Sequence, residues 1–395
     1  MTTNFLAQCL AGASLLACFS FVATAEDKAP NWPVEIRQRN AEMKRRVDLW
    51  LKGRPEKRTP VHVVYLSCED QKPFPNHRQR LDRVLTEIQN WIANQTKAAG
   101  FGRVTMTLDR DRDGMVKLHE GKLPFKVRSR NVKNKVYTHR ECVKATKAIL
   151  EKSAINYDRG FVLVLTTIPD DRGAAPFFGN MIQDRGYCFA VDTPWLDSEY
   201  TKTDGPKVWK GQPVGPANSA LIGGIAHELG HGFGLPHCDE SPAQKNAYGE
   251  SLMASGNYTW RQERRNKGKG SFLLDGDAMF LIARPPFTSR VRDFERRPKV
   301  TIDQLRYESQ KDGRIRVTGR IRTDIPVYAV KVYDDPPGNG DYNAVAHATL
   351  PDNKTGEFRL NFAPIRKKGQ HELRLYLYHV NGRWTMQKHR IDVRR

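Results

Sequence analysis

The 395-residue sequence has few acidic residues for its size, few cysteines and no long apolar run in its body. A membrane-spanning helix needs roughly 18 to 20 consecutive apolar residues, so a multi-pass membrane protein is excluded. No segment of a few tens of residues repeats, which argues against solenoids and propellers. Because apolar residues still make up 39% of the chain, packed cores are expected and a disordered chain is not.

The shortage of acidic residues leaves the chain strongly basic. Its 65 Lys and Arg residues against 44 Asp and Glu residues give a formal net charge of +21. A basic surface favours a polyanionic surface ligand, such as an acidic glycan. The alternative is a basic exported protein without a specific polyanion. No nucleic-acid-binding module is recognisable, so no specific nucleic-acid partner is predicted.

The N-terminus is predicted to be an export signal. Residues 5–22 are mostly apolar and small, and a small-residue pattern ends at Ala25, where cleavage is expected. Two alternatives remain open, namely lipidation at Cys18 in a lipobox-like sequence and an uncleaved anchor. All three predict a secreted, periplasmic or cell-surface protein, with no transmembrane segment beyond the signal.

Cysteine is scarce, and two of the six cysteines lie within the predicted signal. The remaining four are Cys68, Cys142, Cys188 and Cys238. None belongs to a C-x-x-C pair, so a cysteine zinc site is not expected. An even number in an exported chain indicates disulfides, with three pairings open. We favour Cys68–Cys142 and Cys188–Cys238.

Hydrophobic periodicity predicts an alternation of helices and strands in the first two thirds of the chain. The predicted helices cover about 33–52, 78–98 and 140–152. The predicted strands cover 61–66, 103–108 and 161–168, with a further strand pair or an edge strand at 178–192. This order is typical of an α/β sheet with crossover helices.

The C-terminal quarter has a different pattern, with short alternating runs separated by turn residues. The predicted strands cover 313–321, 327–333, 344–350, 357–362, 372–378 and 384–393. Six or seven strands in so short a stretch predict a small all-β sandwich.

These patterns divide the chain into five parts. Residues 1–25 are the predicted signal, and 26–58 form a charged helical segment. Residues 59–285 form the predicted catalytic domain. A proline-rich, charged linker at 286–299 leads to the β-sandwich accessory domain at 300–395.

Two histidines four residues apart indicate a metal site. In the segment HELGH, His227 and His231 would project from one face of a helix and could bind one metal ion. Glu228 lies between them, where it can polarise a metal-bound water. This combination points to metal-assisted hydrolysis.

The flanking residues predict a third ligand. Residues 218–226 supply the helix, with Asn218 or Ser219 as its N-cap. Gly234 can adopt a positive φ and end the helix, so that the chain turns back and His237 adds a third nitrogen. Three protein ligands and a water form an open zinc site, which is the catalytic rather than the structural kind.

The sequence HELGHGFGLPH resembles the H-E-x-x-H-x-x-G-x-x-H signature of the metzincin zinc endopeptidases. These enzymes also have a Met-containing turn below the metal, which Met253 in SLMAS would supply. The resemblance implies a twisted mixed sheet, an active-site helix and one catalytic Zn²⁺ on His227, His231 and His237. It further implies an exported zinc-dependent endopeptidase that acts on protein or peptide substrates with Glu228 as the base.

The subfamily remains unassigned because some positions depart from known patterns. Astacin-like and serralysin-like members carry a tyrosine two residues after the methionine, where this chain has Ser255. Tyr258, five residues after Met253, is a candidate hydrogen-bond donor to the oxyanion. The strand at 186–191 is predicted to form the cleft edge that pairs with an extended substrate.

A second metal motif precedes these elements. Asp109, Asp111 and Asp113, with Glu120 at the twelfth position, fit the spacing of a calcium loop. The preceding segment is strand-like rather than helical, which favours the alternative of a β-hairpin with a polar Asp-Gly turn.

One alternative function belongs to a different class. The chain could be a non-catalytic binding protein, in which a metalloprotease-like scaffold carries a basic C-terminal domain that binds a polyanion.

Overall fold

The structure is a computed structural model that describes residues 29–129, 133–169, 177–182, 185–290, 293–338, 340–364 and 368–393. The predicted signal at 1–25 lies outside these residues. Among the described residues, no helix combines the length and apolar character needed to cross a membrane.

The described residues contain helices in the first three quarters of the chain and strands throughout. The α-helices are α1 (Val34–Leu51), α2 (His77–Ala98), α3 (Lys135–Lys152), α4 (Val214–Phe233), α5 (Pro242–Tyr248) and α6 (Asp275–Leu281). The strands up to α6 are β1 (Val61–Ser67), β2 (Leu118–Lys122), β3 (Phe161–Thr166), β4 (Phe178–Ile182), β5 (Arg185–Val191), β6 (Lys207–Trp209), β7 (Gln212–Pro213), β8 (Glu250–Ser251) and β9 (Ser271–Phe272). The later strands are β10 (Val300–Ser309), β11 (Ile315–Thr323), β12 (Val327–Asp335), β13 (Val345–Thr349), β14 (Glu357–Phe362), β15 (Gly369–His379) and β16 (Trp384–Val393).

A five-stranded mixed sheet with the order β2-β1-β3-β5-β4 forms the centre of the first part. Four strands are parallel, and β4 runs antiparallel to β5. The prediction that 186–191 forms the cleft edge is therefore wrong, because β4 covers the outer side of β5. The predicted strand at 103–108 makes only an isolated bridge through Leu108 to Val61, and β2 occupies that side of β1 instead.

Helices cover both faces of this sheet because the side chains of β1 alternate between two apolar clusters. Val63 and Tyr65 belong to the cluster that contains α2 and α4. Val64 and Leu66 belong to the cluster that contains α3. Helices α4 and α3 thus lie on opposite faces of the sheet.

The C-terminal part is a sandwich of two antiparallel sheets, as predicted from its short alternating runs. Their strand orders are β10-β11-β14 and β13-β12-β15-β16. Both sheets contribute apolar side chains to one core, for example Val317 and Leu360 from the first and Val332 and Leu375 from the second. Strand β10 was not predicted.

The outer face of the four-stranded sheet packs against the first part of the chain. The Tyr328 hydroxyl donates a hydrogen bond to the carbonyl of Met279 over 2.8 Å. The buried ammonium of Lys331 lies 3.0 Å from a carboxylate oxygen of Asp277 in α6. Both faces of β12 are consequently buried, which explains why nearly all of its residues are inaccessible.

Helix α1 strengthens this packing. Its Arg39 pairs with Asp275 and donates a hydrogen bond to the carbonyl of Ala348 in β13. Its Arg46 donates to the carbonyl of Pro351. The predicted fold class is confirmed: a mixed α/β part with a mixed sheet is followed by an all-antiparallel β part.

Candidate metal centre

Helix α4 carries the HELGH segment. It begins at Val214 after Pro213, four residues earlier than predicted. The prediction of Asn218 or Ser219 as N-cap is wrong, because Asn218 is buried inside the helix and its side chain accepts a hydrogen bond from the backbone N–H of Asp197. The helix ends at Gly234 with a φ of 103°, as predicted for a left-handed C-cap.

The turn at Gly234 brings three imidazoles together. The Nε2 atom of His231 lies 3.0 Å from Nε2 of His227 and 3.1 Å from Nε2 of His237. Ligands about 2.0 to 2.1 Å from a tetrahedral zinc ion are separated by about 3.3 Å. The three nitrogens therefore have the spacing of zinc ligands.

Carbonyl groups orient two of these rings. The Nδ1 atoms of His227 and His231 lie 2.7 Å from the carbonyl oxygens of Leu252 and Leu235, respectively. A carbonyl only accepts, so each Nδ1 carries the proton and each Nε2 presents a lone pair. Burial lowers the pKa of both imidazoles to about 4, which keeps them neutral. Two converging lone pairs repel one another unless a cation lies between them.

Met253 lies beneath the metal-binding helix. Its side chain is fully buried, and its sulfur fills the space that a side chain at Gly230 would occupy. Its carbonyl accepts a hydrogen bond from the backbone N–H of Cys238, next to the third histidine. The predicted Met-turn residue thus supports the helix and fixes the segment that follows it.

Glu228 is half-buried and directly follows His227 in helix α4. Burial raises its pKa to about 7, although a hydrogen bond from the backbone N–H of Gly179 opposes the shift. Gly179 belongs to the edge strand β4, and the absence of a side chain lets the strand approach the Glu228 backbone closely. A carboxyl group with a pKa near neutrality can both accept and release a proton.

A tyrosine from the β-sandwich part completes the site. The Tyr342 ring stacks on His237, with 3.8 Å between ring centroids. Burial raises the pKa of Tyr342, and the charges of Glu228 and Tyr258 contribute. Tyr258, the predicted oxyanion donor, is 68% exposed and lies in a short 3-10 helix. No signal in the sequence pointed to Tyr342, because it lies in a distant loop.

The two predicted disulfides are wrong. Cys68, Cys142, Cys188 and Cys238 are all buried, free thiols. The Cys188 thiol faces the carbonyl of Val162 inside the central sheet, whereas the Cys238 thiol lies near the Lys331–Asp277 pair at the contact with the sandwich. These two thiols have different surroundings. Cys68 and Cys142 share an apolar cluster, and burial raises the pKa of Cys142 to about 12.

The predicted calcium loop receives no support. Asp111 accepts hydrogen bonds from the backbone N–H groups of Asp113 and Met115 and pairs with Arg78. Glu120 lies in β2 and contacts a histidine of α2 rather than the loop. The segment forms the alternative, a tight turn closed by one antiparallel bridge between positions 110 and 116. The first acidic residue, Asp109, contacts two histidines instead.

Comparison with known proteins identifies relatives by structure alone. No family model matches the sequence, and no curated protein matches it. Catalytically inactive OgpA from Akkermansia muciniphila, in complex with an O-glycopeptide (glycodrosocin) substrate, matches with a TM-score of 0.70 and 23% identity over 87% of this chain and 96% of that chain. Wild-type OgpA matches with a TM-score of 0.69 and 24% identity over 87% of this chain and 97% of that chain. The two parts of this chain together therefore have the fold of OgpA.

Proposed function

We propose that this protein is a zinc-dependent endopeptidase of the metzincin type. The observation that carries the proposal is the convergence of the Nε2 atoms of His227, His231 and His237, with the half-buried Glu228 on the same helix as the first two. The likeness to OgpA, whose complex contains a glycopeptide substrate, supports a peptide as the substrate.

The donor set fits zinc. Three imidazole ligands suit Zn²⁺, and they suit Ca²⁺ or Mg²⁺ poorly because those ions prefer oxygen. A zinc ion held by these residues would supply Lewis-acid polarisation of the scissile carbonyl and of a water molecule.

Glu228 is the group that moves the proton. Its carboxylate takes a proton from the attacking water and later delivers it to the leaving amine. The raised pKa suits both steps, because a carboxyl group with an ordinary pKa would be a poor proton donor near neutral pH. The N–H of Gly179 holds the carboxylate in place from the strand side.

Strand β4 is the proposed docking edge for an extended peptide. It is the edge strand of the sheet next to β5, and its Gly179 contacts helix α4. A substrate that pairs with this edge would carry its scissile bond past Glu228. The O-glycopeptide in the OgpA complex supports an O-glycosylated peptide as the substrate class. We also propose that the protein acts outside the cytosol.

The decisive experiment compares an O-glycosylated peptide with its unglycosylated twin, each incubated with the zinc-loaded protein. We expect cleavage of the glycosylated peptide, loss of cleavage on addition of a zinc chelator, and recovery when zinc is restored. The Glu228→Gln variant should retain its zinc and its circular dichroism spectrum while losing about 100-fold or more in turnover. Turnover that withstands both the chelator and the substitution would refute the proposal.

The same experiment distinguishes the proposed peptidase from the alternative, a non-catalytic binding protein. A zinc-loaded protein that cleaves neither peptide nor denatured casein, yet retains an acidic glycan through its C-terminal part, would indicate a binding protein. Cleavage of both peptides at equal rates would retain the endopeptidase proposal and contradict the glycopeptide preference.

A further inference from the structure

Three side chains from separate segments meet on the face of the central sheet opposite α4. His62 lies in β1, His119 lies in β2, and Asp109 precedes the tight turn between them. Each offers one ligand atom, and these atoms all lie within 4.8 Å of one another. Within the described residues, this group and the three catalytic histidines are the two such groups found.

Strand pairing explains the convergence. In the parallel register of β1 and β2, His119 lies opposite Val64. Val64 is two residues after His62 and therefore faces the same side of the sheet, so both imidazoles project from one face. Asp109 follows the bridge residue Leu108, which places its carboxylate on that same face. Helix α3 covers this face, and its apolar cluster is separate from the one below the catalytic helix.

The two contacts of Asp109 are compatible with the spacing of metal ligands, and the shorter one is also a hydrogen bond. An oxygen of the Asp109 carboxylate lies 3.0 Å from Nδ1 of His62 and 3.6 Å from Nε2 of His119. Ligands of a tetrahedral zinc ion are about 3.3 Å apart. The contact to His119 is too long for a hydrogen bond.

The surroundings of His119 favour a role as a metal ligand. It is only 5% exposed, and its Nε2 atom is buried without a hydrogen-bond partner. Its Nδ1 atom lies 3.3 Å from the hydroxyl of Ser153, which ends α3. A buried nitrogen without a partner is costly, and a metal ion would satisfy it.

We propose that His62, Asp109 and His119 bind a second zinc ion, separate from the catalytic centre. Two imidazoles and one carboxylate favour zinc over calcium or magnesium. The ion would join β1, β2 and the intervening turn at the edge of the sheet, close to the end of α3. Its role is to stabilise the fold, because a metal that binds only the folded chain shifts the unfolding equilibrium.

The test counts zinc in a protein without its catalytic ligands. The full chain with His227→Ala and His231→Ala is equilibrated with zinc chloride, freed of excess metal by gel filtration and analysed by mass spectrometry for bound zinc. We expect one zinc ion per chain, and none after the further substitutions Asp109→Asn and His119→Ala. The control substitutions Asp111→Asn and Glu120→Gln, in the same segment, should leave the count at one.

Two outcomes would overturn the proposal. One is a catalytic-site variant that holds no zinc, and the other is a zinc ion that persists after Asp109→Asn and His119→Ala. If His119→Ala prevents folding, the Asp109→Asn substitution is tested alone. Metal binding is then measured by the visible absorption of bound cobalt, and loss or persistence of this absorption decides in the same way. Failure of the proposed peptidase would be seen separately, as normal zinc binding at both sites without cleavage.

Discussion

The aromatic ring of Tyr342 stacks on the imidazole of His237, with 3.8 Å between the ring centroids and 27° between the ring planes. His237, the third proposed metal ligand, is therefore supported by a residue from the C-terminal β part. The backbone strengthens this connection, because the N–H of Asp239 donates a hydrogen bond to the carbonyl of Ala344 over 2.7 Å. The sandwich is thus part of the site.

The first prediction follows from this stack. An aromatic pair contributes about 0.5 to 1.5 kcal/mol beyond its buried area, which corresponds to about 2- to 10-fold in binding. We expect Tyr342→Ala to raise by that factor the free zinc concentration at which peptidase activity is half-maximal. Tyr342→Phe keeps the ring and should match the wild type in zinc affinity. Equal zinc affinity in all three proteins would show that the stack does not hold the ligand.

The second prediction concerns the contact between β4 and α4. A side chain at Gly179 would overlap the backbone carbonyl of Glu228, and the two residues lie in the paired strand β4 and in helix α4. Gly179→Ala should displace the strand, remove the N–H contact to the carboxyl group and lower kcat at least about 10-fold. The measurement is kcat on a peptide, together with the melting temperature.

Gly160→Ala is the matched control for this variant. A side chain at Gly160 would lie 3.3 Å from the nearest atom, the carbonyl oxygen of Asn156, so only a small adjustment is needed. We expect its kcat to remain within about 2-fold of the wild type. A Gly179→Ala protein as active as this control would argue against the role of the strand contact.

Local spacing explains why part of the site could be predicted from the sequence. His227 and His231 are one helical turn apart, and Gly234 reverses the chain toward His237, so neighbouring residues alone determine this geometry. Tyr342 reaches the site only through packing between the two parts of the chain, and no local pattern contains that information.

The same distinction applies to the rest of the fold. The alternating runs of the sandwich predicted most of its strands, because burial of one face imposes a period of two. The pairing of β1 with β2 rather than with 103–108 depends on competition between segments for one sheet edge. That competition also decides that Asp109 meets His62 and His119 instead of forming a calcium loop.

The third prediction concerns the buried pair that joins the two parts. The side chains of Lys331 and Asp277 are both fully buried, and the ammonium group also donates to the carbonyl of Gly276. Removal of one partner leaves an uncompensated charge, which costs about 3 to 5 kcal/mol. We expect Lys331→Met to lower the free energy of unfolding by that amount in urea denaturation.

A double variant distinguishes charge from packing in this pair. Lys331→Met combined with Asp277→Asn removes both charges, so at least half of the lost stability should return. If the double variant is as unstable as the sum of the two single variants, the cost arises from packing, and the electrostatic explanation is wrong.

The fourth prediction concerns a buried histidine at the end of β15. His379 is inaccessible, its Nδ1 donates a hydrogen bond to the carbonyl of Ile325, and its Nε2 has no partner. Burial lowers the pKa of His379 to about 4, although the Ile325 carbonyl and the charge of Asp324 oppose the shift. An imidazole in the unfolded chain has a pKa of about 6.5. Between these two values the unfolded chain binds more protons than the folded protein.

Because protons then favour unfolding, His379 makes the free energy of unfolding fall as the pH drops from about 6.5 to about 4, by at most about 1.4 kcal/mol per pH unit. His379→Asn keeps a donor near the Nδ1 position but does not titrate. We expect its unfolding free energy, measured in urea at a series of pH values, to fall less steeply than that of the wild type over this range. Metal loss at low pH affects both proteins equally and cancels in the comparison. Parallel pH profiles of the two proteins would mean that the pKa of His379 does not differ between the folded and unfolded states.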